Sequence, residues 1–194
     1  MSSPGASSDA DRSVIVFREV TAESWKDLED LFERRGSPKS CWCMVWRATS
    51  TEARHTDGKS RKRAMKERVD AGTPVGLLGY LDGVPVAWCS IAPRCTYRAG
   101  LAGAQPDDAR ENVWSVVCFF VEREHRGQGM FRELLDAARR HAMDRGATIL
   151  EAYPVDEDSP SYRFGGFFPA FEKAGFVEAG RAGSRRRVVR LRLV

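Results

Sequence analysis

The stretch from Val116 to Gly146, VVCFFVEREHRGQGMFRELLDAARRHAMDRG, sets two glycines and an arginine between an apolar run of strand character and an apolar series at helical spacing. Glycine costs about 0.5–1 kcal/mol against alanine inside regular structure. Gly127 and Gly129, at the mouth of a helix, therefore mark a sharp bend or a close approach of the backbone to something else. With a strand ending at Val121 and a helix starting near Met130, successive N–H groups point outward at a helix N-terminus, which carries roughly half a positive charge. The chemistry this permits is anion binding. A pyrophosphate would sit there, with Arg123 and Arg126 adding charge-assisted bonds. A tight strand-to-helix turn without a ligand is the alternative reading. Two other phosphate loops are excluded by spacing. The GxxxxGK[ST] loop has no match, because one residue separates the glycines and Met130 follows, and the GxGxxG fingerprint would need glycine where Arg132 stands.

Other reactive types are less organised. Five cysteines (Cys41, Cys43, Cys89, Cys95, Cys118) form an odd set with no regular framework, which points to reduced thiols. Cys41 and Cys43 in CWC lack the CxxC spacing of a zinc or redox site; with His55 they read as a packed loop, and no metal is expected. Cys118, inside a central apolar strand, reads as an inert buried thiol. The basic run Lys59–Arg63 reads as the solvated face of a helix. A formal charge of +4 and a pI near 8.9 welcome acidic ligands but fall far short of the dense basic field of a dedicated nucleic-acid binder, so a nucleic-acid partner is not expected. No membrane association is expected, because no stretch approaches the roughly 18 apolar residues needed for a span. MSSPGASSDADRS lacks the basic and apolar regions of a secretory signal, so residues 1–13 read as a disordered tail on a cytoplasmic protein.

The elements that must position the glycine turn form one domain over residues 14–194. VIVFREV alternates as a strand, and Trp25, Leu28, Leu31 and Phe32 share one helical face. A charged helix ends at Gly72. Two apolar runs joined by Asp82-Gly83 make a hairpin closed by Pro93, and residues 96–112 form a long loop. VWSVVCFFV is a strand buried on both faces, hence central. After the helix carrying Leu134, Leu135, Ala138 and Ala142 come the strand ATILEAYP, the short helix PAFEKAG, and the strands FVEAG and RRRVVRLRLV. The predicted class is α/β of the mixed α+β kind: a central, mixed, mostly antiparallel sheet of about seven strands flanked by about four helices.

VCFFVEREHRGQGMFRELL resembles the acyl-CoA signature of the GNAT acetyltransferase superfamily, in which a strand ending in Val is followed by [Q/R]xxGx[G/A]; Arg126 to Phe131 occupy the six places. FEKAGF (Phe171 to Phe176) resembles the family's later YEKLGF element. The resemblance implies a GNAT-like fold and acetyl-CoA as co-substrate. It implies that Phe119, Phe120 and Val121 offer backbone to the pantetheine arm, and that the amides of Arg126, Gly127, Gln128, Gly129, Met130 and Phe131 hold the phosphates. It also implies an amine acceptor bound near SCWCMVWR, where Trp42, Trp46 and Arg47 would suit an aromatic or carboxylated small molecule.

Two positions depart from the family pattern. Phe131 replaces the last small residue of the signature, and Phe171 stands where the family places the tyrosine that protonates the leaving sulfur. A thiol's reference pKa of about 8.5 makes thiolate a tolerable leaving group without it. Tyr162 is the substitute acid taken forward, beside Tyr153 and Ser161. Ser115, six residues before the valine, and Glu151 are the candidates for handling the amine proton, with Glu111, Asp156 and His125 also near. The expected function is N-acetyl transfer to a primary amine by direct attack, with the oxyanion met by a backbone N–H near Phe119 or Phe120. A non-catalytic CoA-binding module and a protein lysine or N-terminal acetyltransferase are the alternatives. The expected assembly is a monomer or homodimer.

Overall fold

The computed structural model describes residues 14–103 and 110–193. The expected tail at 1–13 and part of the expected 96–112 loop lie outside the described residues. In chain order the elements are β1 (Ile15–Glu19), α1 (Trp25–Glu33), α2 (Gly58–Asp70), β2 (Leu77–Leu81), β3 (Val84–Pro93), β4 (Val113–Val121), α3 (Met130–Asp144), β5 (Ile149–Ala152), α4 (Phe168–Lys173), β6 (Val177–Ala182) and β7 (Arg186–Arg192). The strands form one sheet in the order β1-β2-β3-β4-β5-β7-β6. Every pairing is antiparallel except β4 with β5. This is the mixed seven-strand, four-helix arrangement predicted from the sequence.

Local chemistry accounts for the elements. Asp82 and Gly83 take φ of 49° and 80°, the positive pair that a two-residue hairpin needs between β2 and β3. Asp57 caps α2 by accepting from the Ser60 N–H at 2.8 Å. Trp25, Leu28, Leu31 and Phe32 turn one face of α1 into the core, where they meet Met65 of α2 and Leu78, Trp88 and Tyr153 of the sheet. On the other face, Leu134, Ala138 and Phe171 from α3 and α4 pack on Ile91, Val116, Leu150 and Val189. CWCMVWR has no helical or strand period because it forms a single 3-10 turn, Met44–Trp46, entered through Trp42 and Cys43 at φ of 48° and 51°.

One irregularity positions the site. Ser90 pairs with Cys118 but Ile91 pairs with Val116, so Val117 is an extra residue in β4. Val117 and Cys118 consequently both face the α1/α2 layer, and alternation resumes with Phe119 toward α3 and Phe120 toward α1. At the same place β4 loses its other neighbour. Pairing with β5 runs from Val113↔Ile149 to Val116↔Ala152 and stops, while β4 continues to Val121. The chain leaving β5 turns away, and Val155 bridges instead to Phe167 and Arg186.

Candidate active site

The turn between β4 and α3 is shaped by its two glycines. After a 3-10 turn at Arg123–His125, Gly127 and Gly129 adopt φ of 77° and 84°, which L side chains rarely do. A Cβ on either would meet no heavy atom within 4 Å, so packing is not what demands glycine here. Gly129 accepts the first bonds of the helix, from the N–H groups of Arg132 and Glu133 at 2.9 and 3.3 Å. The amides of Gly127, Gln128, Gly129, Met130 and Phe131 find no acceptor among the described residues. Five free donors at the front of a fifteen-residue helix make a ready anion seat. Two side chains brace it: Arg126 Nε donates to the Val121 carbonyl at 2.8 Å, and Gln128 Nε2 to the Glu124 carbonyl at 2.9 Å.

Below the turn, the fork between β4 and β5 opens into a cavity of about 750 Å³ lined by Phe119, Phe120, Val121, Arg126, Phe131, Arg163, Phe164, Gly166, Phe167 and Ala170. Its near wall is the unpaired side of β4 and its far wall is the segment leading into α4. Gly166, at φ 86°, is required there, because a Cβ would lie 2.8 Å from the Phe171 ring and 2.9 Å from the Phe131 ring. Phe131 does not block the helix start. It turns into an aromatic cluster, 4.6 Å from Phe119 and 5.6 Å from Phe171 between ring centroids. The far wall was not read from the sequence, although the glycine pair in RFGGFF was a visible sign of close backbone approach.

The proposed proton-handling residues are placed less favourably. Ser115 and Glu151 are both fully buried, so neither can touch a substrate. They are joined through Tyr153, whose hydroxyl lies 2.9 Å from Ser115 Oγ and donates to Glu151 Oε1. The other Glu151 oxygen accepts from Arg190, at 2.7 Å from Nη2 and 2.8 Å from Nε, and from Arg94 at 3.3 Å. A carboxylate saturated in this way is a core ion cluster rather than a base, which corrects the expectation for both residues. Burial, with Glu151 alongside, pushes the Tyr153 phenol well above its ordinary value, so it stays protonated. Tyr162 is half-buried and lies on the segment that leads into the cavity wall at Arg163. Cys118 lies 3.4 Å from Cys43, sulfur to sulfur, and this contact together with burial pushes its thiol up, as expected of an inert cysteine.

The expected acceptor residues separate in the same way. Trp42 is a core residue, stacked on Trp25 at 5.7 Å and against Phe32 at 5.2 Å. Arg47 is also buried: it donates to the Val75 carbonyl (2.7 Å), the Tyr97 hydroxyl (2.8 Å) and Ser90 Oγ (3.1 Å), and its cation lies over the Tyr97 ring. Neither faces a cleft. Trp46 alone of the three reaches the surface layer, where its ring meets Tyr162 at 5.8 Å and carries the Arg186 guanidinium at 4.1 Å. The sequence reading missed Arg186, one of three consecutive arginines with nothing local to distinguish it.

The fold has known counterparts. N-acetyltransferase PaiA of Thermoplasma acidophilum, solved in complex with coenzyme A, is 14% identical over 93% of this chain and 99% of its own, with a TM-score of 0.54. An N-acetyltransferase of Staphylococcus aureus Mu50 is 14% identical over 94% and 100% of the two chains, with a TM-score of 0.54. The yncA protein of Salmonella typhimurium, solved with acetyl-CoA, is 16% identical over 93% and 94%, with a TM-score of 0.52. At these identities the likeness is one of fold. No curated protein matches the sequence. The sequence model of the acetyltransferase (GNAT) family, however, matches residues 42–165, which include β4 and the glycine turn. The chain belongs to the GNAT acetyltransferase family.

Proposed function

We propose that this protein transfers the acetyl group of acetyl-CoA to the primary amine of a small molecule by direct attack. The observation that carries the reading is the junction of two unsatisfied backbone surfaces: five free amides at the front of α3 and the unpaired side of β4 beyond Val116. The amides of Gly127 to Phe131 bind the pyrophosphate, and Arg126 adds charge beside it. Phe119, Phe120 and Val121 pair with the pantetheine arm through their main chain, as an added strand would, which brings the thioester to the fork. There the neutral amine adds to the carbonyl carbon, a backbone N–H of the Phe119–Phe120 stretch meets the developing oxyanion, the nitrogen gives up its surplus proton to solvent water, and the C–S bond breaks as the amide forms. Tyr162 is the proposed donor to the departing thiolate, because its hydroxyl bonds no group among the described residues and Arg163 beside it lines the cavity. The contact between Trp46 and Tyr162 ties the segment before α2 to the segment before α4. It narrows the acceptor approach, which suits a small amine better than an extended peptide. The five free thiols, and a structure in which no described helix is long and apolar enough to cross a membrane, fit a cytoplasmic setting.

A second reading has its own support. Phe171 offers no proton and Ser115 and Glu151 are sealed, as in a module that holds CoA without turning it over. One experiment separates the two. Acetyl-CoA raises the melting midpoint in either case, and thiol release that depends on an added amine appears only for the enzyme. Gly129→Glu places a carboxylate in the phosphate seat and abolishes the shift. Gln128→Glu adds the same charge without strain at a positive φ and weakens binding about tenfold or more, read by calorimetry. A full shift in both folded variants sinks the site.

A further inference from the structure

β7 carries four arginines. Arg187 pairs with Asp156 at 2.9 Å and also with Glu178, Arg190 with Glu151 at 2.7 Å, and Arg192 with Glu111 at 3.1 Å. Arg186 has no carboxylate partner among the described residues, although it is only 8% exposed. Its Nη1 donates to the Leu101 carbonyl at 2.7 Å, and its guanidinium is walled by the rings of Trp46 at 4.1 Å, Tyr162 at 5.5 Å and Tyr153 at 5.8 Å. Burial pulls its pKa down from the ordinary value, the sign of a cation short of compensation. The remaining edge of the guanidinium, Nη2 and Nε, bonds to nothing among the described residues. Arg98 lies near the same indole at 5.9 Å and adds positive charge without an acid among the described residues.

The place of this cation gives it a role. Tyr153 directly follows Ala152, the last β5 residue paired with β4, and Arg186 bridges to Val155 two residues further on. Gly165, inside the segment that forms the cavity wall, sits so close to the Tyr153 carbonyl that a Cβ would be 2.9 Å from it. Arg186 thus stands beside the chain that leaves the end of the β4/β5 pairing, with its cation on the Trp46 side, while the phosphate seat lies at the α3 end. A planar fork of two parallel N–H donors is the geometry that a carboxylate matches.

We infer that Arg186, backed by Trp46 and Tyr162, is the acceptor-recognition residue, and that the acceptor is an amine bearing a carboxylate. The inference rests on the acetyl-transfer reading and specifies its substrate class. An incoming carboxylate supplies the counter-charge that β7 withholds from this one arginine, and it orients the amine of the same molecule toward the thioester.

Matched acceptors test this. Amino acids are compared with their own primary amides as acetyl acceptors, with kcat/KM expressed per neutral amine. The wild type favours the acid by about tenfold or more. Arg186→Gln brings the acid-to-amide ratio close to one, chiefly by raising KM for the acid, and Arg186→Lys, which keeps the charge but not the fork, gives an intermediate ratio. Should Arg186→Gln fail to fold, the wild-type ratio and Arg186→Lys decide. Equal use of acid and amide by the wild type, an unchanged ratio in a folded variant, or no turnover of any acid while acetyl-CoA still shifts the melting midpoint overturns the carboxylate site. Loss of the acetyl-CoA shift in the wild type overturns the cofactor reading beneath it.

Discussion

Arg47 and Glu151 both lie in the core, and they are satisfied by different means. Arg47 is a cation held by neutral oxygens, those of Val75, Ser90 and Tyr97, with its Nε left unbonded. Glu151 is an anion held by two cations and a phenol. Neutralising them therefore has unequal costs. Arg47→Met strips a donor from a buried carbonyl, a loss of about 1–3 kcal/mol, but it also removes a cation that was never fully compensated. Glu151→Gln removes the charge that Arg190, whose side chain is 12% exposed, meets at 2.7 Å, and the cost of breaking such a pair is about 3–5 kcal/mol. Urea unfolding should accordingly show the larger loss for Glu151→Gln. The reverse order would mean that Glu151 is not the structural anion argued for above.

At the scale of elements, the 3-10 turn at Glu52–Arg54 is fastened to α2 by one ion pair, Arg68 to Glu52 at 2.8 Å, with the Thr49 N–H donating to the same carboxylate at 2.7 Å. These contacts, the Arg68 bond foremost, hold the Glu52 carboxyl down at about 2 against an ordinary 4.5. A depressed folded-state pKa stabilises above the unfolded value and ceases to do so as pH falls through the folded one. The unfolding free energy of the wild type, read by urea titration, should thus exceed that of Glu52→Gln above about pH 5, by about 1 kcal/mol once solvent screening is allowed for, and the gap should close by about pH 2. Elements with a strong period or a special turn were legible in the sequence: the apolar faces of α1 and α3, the Asp82-Gly83 hairpin, and the glycine turn. The bulge at Val117 was not, because an unbroken apolar run hides the two consecutive residues that share a face. The burial of Trp42 and Arg47 was hidden for another reason. Their surroundings come from α1, from β3 and from the segments at Val75 and Tyr97, which local spacing cannot report. Arg186 became distinguishable only when the other three arginines of β7 could each be matched with an acid.

Across the whole molecule, the sheet is two antiparallel halves, β1–β4 and β5–β7, joined through only four residue pairs between Val113↔Ile149 and Val116↔Ala152. Beyond that seam the halves face each other across the cavity. A ligand that fills it while gripping the α3 amides bonds to β4 on one side and packs on the Arg163–Phe167 segment on the other, so it acts as the missing strand of the seam. Binding to the folded state alone stabilises by RT ln(1 + [L]/Kd), about 2.7 kcal/mol at a hundredfold excess over Kd. Amides that exchange only when the seam opens should then slow about 100-fold with acetyl-CoA. Hydrogen exchange read by mass spectrometry should show this together at residues 119–121, 127–131 and 163–167, while the distant β1–β2 pairing changes little. Gly129→Glu should remove all three effects at once. Slowing confined to 127–131 would mean that an anion seats at the helix while the arm stays out of the fork, and the seam would then have no part in holding the thioester.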